Sequence, residues 1–171
     1  DQVNGRRNNG RRENGGIVGV VGCGVTGARV VSNLASVGRR VAVYDPFPVR
    51  LQSEAVRVDD ATDLAVCDVV VLAQPAPHEQ LVRRLLQSGT SVVSVSDDLD
   101  DVRALLGLHD EAVANNAVLV VGCGVAPGLS GLLARYLAAQ LHTLDELHVA
   151  THGTAGPECA RQHHNALGDT A

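Results

Sequence analysis

The residues best suited to chemistry form a glycine-rich turn near the start of the chain, Gly22-Cys23-Gly24-Val25-Thr26-Gly27. An apolar run at 17–21 precedes the turn and an amphipathic segment follows it. In such a turn the first glycine allows a tight bend, the second lets a ligand approach the backbone, and the third allows close packing of helix on strand. The unpaired N–H groups and the dipole of a helix start attract phosphate. The pattern predicts a dinucleotide-binding loop in which all six residues are candidates for cofactor contact.

An acidic residue supports this interpretation. Asp45 ends the second predicted strand, 23 residues after Gly22, and the expected spacing is about 20. A carboxylate there accepts hydrogen bonds from the adenosine ribose and repels a 2′-phosphate, which favours NAD over NADP. Arg50, five residues later, could neutralise a 2′-phosphate, so NADP stays open.

Two later loops extend the candidate site. Gln74 and Pro75 follow a strand predicted at 69–72, and ligands of open parallel sheets lie beyond the carboxyl ends of the strands. The alternative is a plain proline-rich turn. A second glycine loop spans 122–128, and the sequence at 120–125 repeats that at 20–25. Its Gly124 and Pro127 are candidates for cofactor contact at a helix start, which could face the nicotinamide or an anionic group of the substrate. The alternative is that the similarity of the two loops is due to chance.

Near the end of the chain, cysteine and histidine cluster. Cys159 and His163 are four residues apart on a predicted helix and so share a face, with His152 and His164 nearby. They suit a thiol nucleophile with a histidine base, or a histidine acid. Zinc binding is the weaker interpretation, and we predict no metal site. The alternative is that these residues only open a further domain. The other histidines look isolated and are expected at the surface or in packing: His78, His109, His142 and His148.

Strands and helices alternate along the chain. Strands are predicted at 17–21, 41–44, 55–58, 69–72, 91–95, 118–121 and 146–150, and helices at 25–37, 77–87, 97–106, 128–141 and 157–167. This order predicts an α/β fold with a doubly wound, mostly parallel sheet of the Rossmann type. The helix at 128–141 has the clearest apolar stripe, expected to be buried: Leu129, Leu132, Leu133, Tyr136, Leu137 and Leu141. Glycine and proline within the uncharged stretch at 117–134 argue against a membrane span.

Composition divides the chain into three parts. Residues 1–15 are mostly Asn, Arg and Gly and are predicted to be a disordered tail. Residues 16–150 form the dinucleotide-binding domain, and 151–171 start a truncated or minimal C-terminal segment. The net charge of −5 argues against a nucleic-acid partner. Four scattered cysteines without a signal peptide predict a cytoplasmic protein.

Taken together, the glycine turn, Asp45 and the run Gly124-Val125-Ala126-Pro127-Gly128 before a leucine-rich helix resemble the saccharopine dehydrogenase-like oxidoreductases over residues 17–150. The resemblance implies an NAD(P)-dependent oxidoreductase that acts on a C–N or related bond of an amino-acid-like molecule. It also implies that the three glycines of the first turn and Asp45 bind the cofactor, and that the Pro127-Gly128 turn lies by the substrate cleft.

This chain departs from the family in two respects. Family members continue into a large second domain that binds substrate and mediates dimer contacts, and here about twenty residues follow the last predicted strand. Their acid–base groups often include Lys, which this sequence lacks. We therefore expect the oxidoreductase or its cofactor-binding part, with a small-molecule substrate and homo-oligomer formation left open. A non-catalytic NAD(H)-binding sensor or scaffold is the alternative, and a domain that binds no nucleotide is a third.

Overall fold

A computed structural model describes residues 16–51, 55–150, 156–157 and 160–161. Within them, six strands form one sheet: β1 (Ile17–Val21), β2 (Arg40–Tyr44), β3 (Val56–Arg57), β4 (Val69–Leu72), β5 (Ser91–Ser94) and β6 (Leu119–Val120). The helices are α1 (Val25–Ser36), a 3₁₀ helix (Ala61–Val66), α2 (Glu79–Gln87), α3 (Leu99–Leu106), α4 (His109–Ala114) and α5 (Leu129–Ala138). Neighbouring strands are all parallel, in the order β3-β2-β1-β4-β5-β6.

The central strand β1 is covered on both faces, which explains its continuous apolar sequence. Successive side chains of a strand point to opposite faces, and the adjacent Val20 and Val21 belong to two different core clusters. Val31 of α1 packs in the cluster of Val20. Side chains of α2, α3 and α4 pack in the cluster of Val21. The predicted doubly wound parallel sheet is confirmed.

Some elements differ from the prediction. The 3₁₀ helix and α4 were not expected from the sequence. Asp60 begins the 3₁₀ helix through a capping box with Asp63, a signal that the sequence does contain. The strand predicted at 146–150 is wrong, because these residues have no regular secondary structure. Apolar alternation produces a strand only where a neighbour provides hydrogen bonds and cover, and Leu147 and Val149 are exposed.

Helix α5 forms as predicted, but the prediction that its apolar stripe is buried is wrong. All six side chains of the stripe are at least 51% exposed, and no residue of α5 is buried. The last strand of the sheet is also partly uncovered, since Val120 of β6 is 41% exposed. Periodicity shows which face of a helix is apolar and does not show what covers that face. Among the described residues, no helix has the length and hydropathy needed to cross a bilayer.

Candidate functional site

A cleft opens at the carboxyl ends of β1 and β4. The chain leaves β1 into α1 on one face of the sheet and leaves β4 into α2 on the other. The loops after these two strands therefore diverge, which is the topological switch point where open α/β sheets bind ligands. The cleft has a volume of about 700 Å³, within the range of small-molecule and cofactor sites. Four of the predicted loop residues line it: Gly22, Gly24, Val25 and Thr26.

The three glycines of the loop differ in what surrounds them. Gly22 has φ +86°, and a Cβ there would lie 2.8 Å from both Cβ and N of Gln74. A Cβ on Gly27 would overlap the carbonyl oxygen of Gly22, whereas a Cβ on Gly24 would have no atom within 4 Å. As predicted, Gly22 allows the turn, Gly24 leaves open space for a ligand, and Gly27 allows the close packing of helix on strand. Gly27 itself does not line the cleft.

The start of α1 is suited to an anion. Gly24 is its N-cap residue and makes no side-chain cap hydrogen bond, and the first turn contains no acidic residue. The first N–H groups of a helix have no partner within the helix. Because Gly24, Val25 and Thr26 line the cleft, these donors and the positive end of the helix dipole lie at its wall.

Asp45 lies in the same cleft, only 9% exposed. Its Oδ2 accepts a hydrogen bond from the N–H of Cys23 at 2.6 Å, and its Oδ1 accepts one from the N–H of Phe47 at 2.9 Å. The carboxylate therefore holds the glycine loop in place and still has lone pairs for a ligand hydroxyl. The Cys23 side chain packs against the core cluster of Val20, away from the cleft. Burial, and then the charge of Asp45, raises the pKa of the Cys23 thiol.

The arginine beside the Asp45 loop is not the one that the sequence indicated. Arg50 is exposed and does not line the cleft. Arg57, on β3, donates from Nη2 to the carbonyl oxygens of Asp45 and Phe47 at 3.1 and 3.3 Å. It reaches them because β3 pairs with β2, with Arg57 opposite Val43. Sequence reasoning missed this contact because the pairing of a two-residue strand has no clear sequence signal.

The opposite wall of the cleft is formed by residues 73–77, which include the predicted Gln74 and Pro75, and by residues 95–97. Behind this wall His78 is 1% exposed and contacts Asp101 of α3. The distance from Nδ1 to Asp101 Oδ2 is 2.7 Å, and the His78 N–H donates to Asp101 Oδ1 at 2.7 Å. His78 is therefore a packing residue but not an isolated one, and that part of the prediction is wrong. The pair was missed because its members are 23 residues apart and meet only in the tertiary structure.

Asp101 is held as a carboxylate by its hydrogen bonds. Burial acts to raise its pKa, but hydrogen bonds from the His78 side chain and backbone and from the Ser96 side chain lower the pKa below its ordinary value. Asp101 also closes the first turn of α3, where its N–H donates to Asp98 Oδ1 at 2.8 Å. The carboxylate thus connects the two segments that form this wall of the cleft.

The second glycine loop lies at the same edge of the sheet but outside the cleft. The N–H of Cys123 donates to the carbonyl oxygen of Ser94 at 2.9 Å, which places the loop beyond β5 and β6. Gly124 and Pro127 do not themselves line the cleft, although Gly124 lies beside Val95, which does: a Cβ on Gly124 would be 3.3 Å from the Val95 carbonyl oxygen. The first N–H groups of α5, those of Leu129 and Ser130, already donate to loop carbonyl oxygens at 3.0 and 2.8 Å. They are therefore less available to a ligand than those of α1.

The C-terminal segment reaches the cleft through a few described residues. Gly156, Pro157 and Arg161 line it, and a Cβ on Gly156 would lie 3.4 Å from Cγ2 of Val25. The predicted catalytic residues Cys159 and His163 lie outside the described residues, as do His152, His164 and the predicted tail. In the part of the chain that the structure describes, no three His, Cys, Asp or Glu residues are grouped to hold a metal ion.

The strand order, the glycine turn and the cleft at the switch point define a Rossmann-type dinucleotide-binding domain. The family model for the NAD-binding domain of D-isomer-specific 2-hydroxyacid dehydrogenases matches residues 2–88. The chain therefore belongs to this family, whose cofactor is the predicted NAD. A search of curated proteins gives no significant match.

Solved structures of dehydrogenases and reductases share the fold. D-lactate dehydrogenase with NAD⁺ from Lactobacillus jensenii is 17% identical with a TM-score of 0.50, over 62% of this chain and 34% of that chain. The V8 variant of an imine reductase from Myxococcus stipitatus, in complex with NAD⁺, is 15% identical with a TM-score of 0.53, over 62% and 40%. Biliverdin reductase from Synechocystis sp., in complex with biliverdin and NADP⁺, is 17% identical with a TM-score of 0.53, over 61% and 37%.

These similarities establish the fold, and the chain covers 34 to 40% of the length of these three proteins. Together with the family model they identify an NAD-binding domain of the dehydrogenase and reductase type. The narrower resemblance to saccharopine dehydrogenase-like enzymes is not supported by these comparisons.

Proposed function

We propose that this chain is the cofactor-binding part of an NAD-dependent oxidoreductase that acts on an amino-acid-like small molecule. The observation that carries the proposal is the open space over Gly24 at the start of α1, where no side chain caps the helix N–H groups. A diphosphate in this position would accept hydrogen bonds from the first N–H groups of the helix, and the space next to Gly24 holds no other atom within 4 Å of a Cβ built there. When bound, NAD supplies the site that gives or accepts a hydride ion.

The charges and shapes around Gly24 suggest how the rest of the cofactor lies. Asp45 and Phe47 line one end of the cleft, and we assign the adenosine ribose to Asp45. An aromatic ring such as that of Phe47 suits the adenine base. The nicotinamide end then extends toward Gln74 and Ser96, at the carboxyl ends of β4 and β5. NAD is preferred over NADP because a 2′-phosphate would lie beside the Asp45 carboxylate, which lines the cleft.

The proposed substrate and catalytic groups depend on the later part of the chain. The amino-acid-like substrate depends on the resemblance of the loop at 124–128 to saccharopine dehydrogenase-like enzymes. For catalysis we retain Cys159 and His163 of the C-terminal segment. Their support is that Pro157 and Arg161, which flank Cys159 in sequence, line the cleft. Residues 151–171 would then begin the part of the protein that completes the substrate site.

A non-catalytic NAD(H)-binding sensor or scaffold is the second candidate. The exposed apolar stripe of α5 favours it, because contiguous exposed apolar surface is typical of sites that bind other proteins. In that case cofactor binding would be retained and hydride transfer would be absent.

Isothermal titration calorimetry with NAD⁺ and NADP⁺ tests the proposal. We expect the wild-type chain to bind NAD⁺ more tightly than NADP⁺, and Asp45→Asn to reduce this preference because it removes the repulsive charge. Asp68→Asn is a matched control, since Asp68 also accepts a backbone N–H, that of Ile17 at 2.9 Å, but does not line the cleft.

If neither NAD⁺ nor NADP⁺ gives a heat of binding, the proposed function is refuted. Equal affinities of the wild-type chain for NAD⁺ and NADP⁺ would refute the assignment of the ribose to Asp45. Hydride transfer is then measured as the loss of NADH absorbance with 2-oxo acids and ammonia or amines, using the protein that carries the complete substrate site. This measurement separates an enzyme from a sensor.

A further inference from the structure

A buried histidine lies directly behind the cofactor cleft, and its contacts restrict its protonation. His78 follows the residues that line the cleft wall and is 1% exposed, and Asp101 is 5% exposed. The ring contacts an acceptor on each side. Nδ1 lies 2.7 Å from Asp101 Oδ2, and Nε2 lies 3.1 Å from the carbonyl oxygen of Gln74.

The contact with Gln74 shows that Nε2 carries a proton. A carbonyl oxygen only accepts hydrogen bonds, so Nε2 must carry a proton to make this contact. The Asp101 contact determines the proton on Nδ1. Asp101 Oδ1 accepts the His78 backbone N–H at 2.7 Å. This bond favours the ionised carboxylate, to which Nδ1–H then donates. Both ring nitrogens therefore donate, which only the imidazolium form can do.

The position of Gln74 gives this pair a connection to the cofactor site. Gln74 packs so closely against the glycine turn that a Cβ on Gly22 would lie 2.8 Å from both its Cβ and its backbone N. On the other side, Asp101 lies in the first turn of α3, which follows residues 95–97 of the cleft wall. The His78–Asp101 pair therefore bridges the two segments of one cleft wall, and the wall abuts the loop assigned to the diphosphate.

We propose that His78 is a positioning residue, held by Asp101 as a buried imidazolium, and that this pair fixes the cofactor-facing wall formed by Gln74 and Ser96. The inference rests on the proposed function, because the wall is assigned to the nicotinamide end of NAD. Neither residue needs to touch the cofactor, since the ring acts through the Gln74 carbonyl. A buried ion pair is weak support for stability in itself, but it does specify one arrangement of the loops that it joins.

The first test is the protonation of the ring in the full chain. Long-range ¹H–¹⁵N correlation spectra at neutral pH should show both ring nitrogens of His78 with the chemical shifts of an imidazolium, with the resonance assigned by its loss in His78→Gln. A spectrum with one bare nitrogen would overturn the proposed imidazolium. This readout does not depend on cofactor binding, so it remains informative if the chain binds no NAD.

The second test is the affinity for NAD⁺ and for AMP, measured by calorimetry. We expect His78→Gln to weaken NAD⁺ binding about tenfold, equivalent to about 1.4 kcal/mol. AMP binding should be unchanged, because AMP does not reach the cleft wall formed by Gln74 and Ser96. His109→Gln is the matched control, since His109 is an exposed histidine at the start of α4.

The outcomes separate the two proposals. If the wild-type chain binds no NAD⁺, the proposed function fails. If it binds NAD⁺ and His78→Gln binds equally well, the positioning role fails while the proposed function stands. If His78→Gln does not fold, Asp101→Asn provides the same comparison. An equal loss of AMP and NAD⁺ affinity in that variant would indicate a general loosening of the fold and overturn the positioning role.

Discussion

Alanine at Gly24 and alanine at Gly27 add the same methyl group to the same loop, and we expect opposite consequences for folding and for binding. At Gly24 the methyl group has no neighbour within 4 Å. The backbone there, at φ −71° and ψ −157°, is extended and accessible to alanine. At Gly27 the methyl group would overlap the carbonyl oxygen of Gly22, so the start of α1 must move away from β1.

The magnitudes follow from these surroundings. Gly24→Ala replaces a tolerated N-cap residue with a poor one, which costs under about 1 kcal/mol. Its methyl group occupies the space assigned to the diphosphate, so NAD⁺ affinity should fall at least about tenfold. Gly27→Ala gains about 1 kcal/mol in helix propensity, but a clash with backbone costs about 3 kcal/mol, the upper end for overpacking. The net loss of about 2 kcal/mol corresponds to a Tm about 4–8 °C lower for a chain of this size.

Thermal unfolding and calorimetric titration with NAD⁺, done on both variants, separate the two effects. Gly131→Ala is the control, because its methyl group also has open space but lies on α5, outside the cleft. Wild-type affinity in Gly24→Ala would show that the diphosphate does not lie over Gly24 and would refute the role given to the loop. Wild-type stability in Gly27→Ala would refute the packing argument.

Three further predictions concern the core, acid stability and thiol chemistry. Leu85→Ala should lower the free energy of urea unfolding by about 2–5 kcal/mol, because Leu85 is fully buried. Leu132→Ala should lower it by about 0.5 kcal/mol or less, because this side chain is 68% exposed. Equal losses would contradict the exposure of α5. The pKa of Asp101 lies below its ordinary value of 3.8, so the ionised carboxylate stabilises the fold above pH 3.8, and this contribution is lost as the pH falls through the lowered pKa. Asp101→Asn should therefore flatten the acid limb of the curve of unfolding free energy against pH. An unchanged limb would argue against the His78–Asp101 pair. Iodoacetamide should modify Cys23 more slowly than the exposed Cys123 at neutral pH, because the Cys23 pKa is raised; mass spectrometry that finds Cys23 modified first would contradict this.

Much of the fold could be predicted because it depends on local patterns. The apolar run of β1, the turn at Gly22 and the amphipathic α1 are adjacent in sequence, and each has a periodicity that belongs to one kind of element. Alternating strands and helices then leave few topologies other than a doubly wound sheet. The short β3 was predicted two residues too long and the 3₁₀ helix was not predicted, because two to six residues contain little periodic information.

The candidate site was only partly predictable, for the same reason. The sequence identified the glycine turn, Asp45 and the Gln74 loop, since each follows the end of a recognisable strand. It did not identify Arg57 or the His78–Asp101 pair. Those contacts join elements that lie apart in the sequence, and no local pattern reports which side chains will face each other after packing.

By itself, the sequence determined the order of strands and helices and the position of a side-chain-free turn before α1, because neighbouring residues settle both through backbone sterics and hydrophobic periodicity. Only the tertiary structure decided that Asp45 accepts the Cys23 N–H, that His78 is enclosed with a carboxylate, and that the apolar stripe of α5 is left exposed. Burial and pairing depend on which distant segments pack together, and the free energy of that packing belongs to the whole chain rather than to any segment of it.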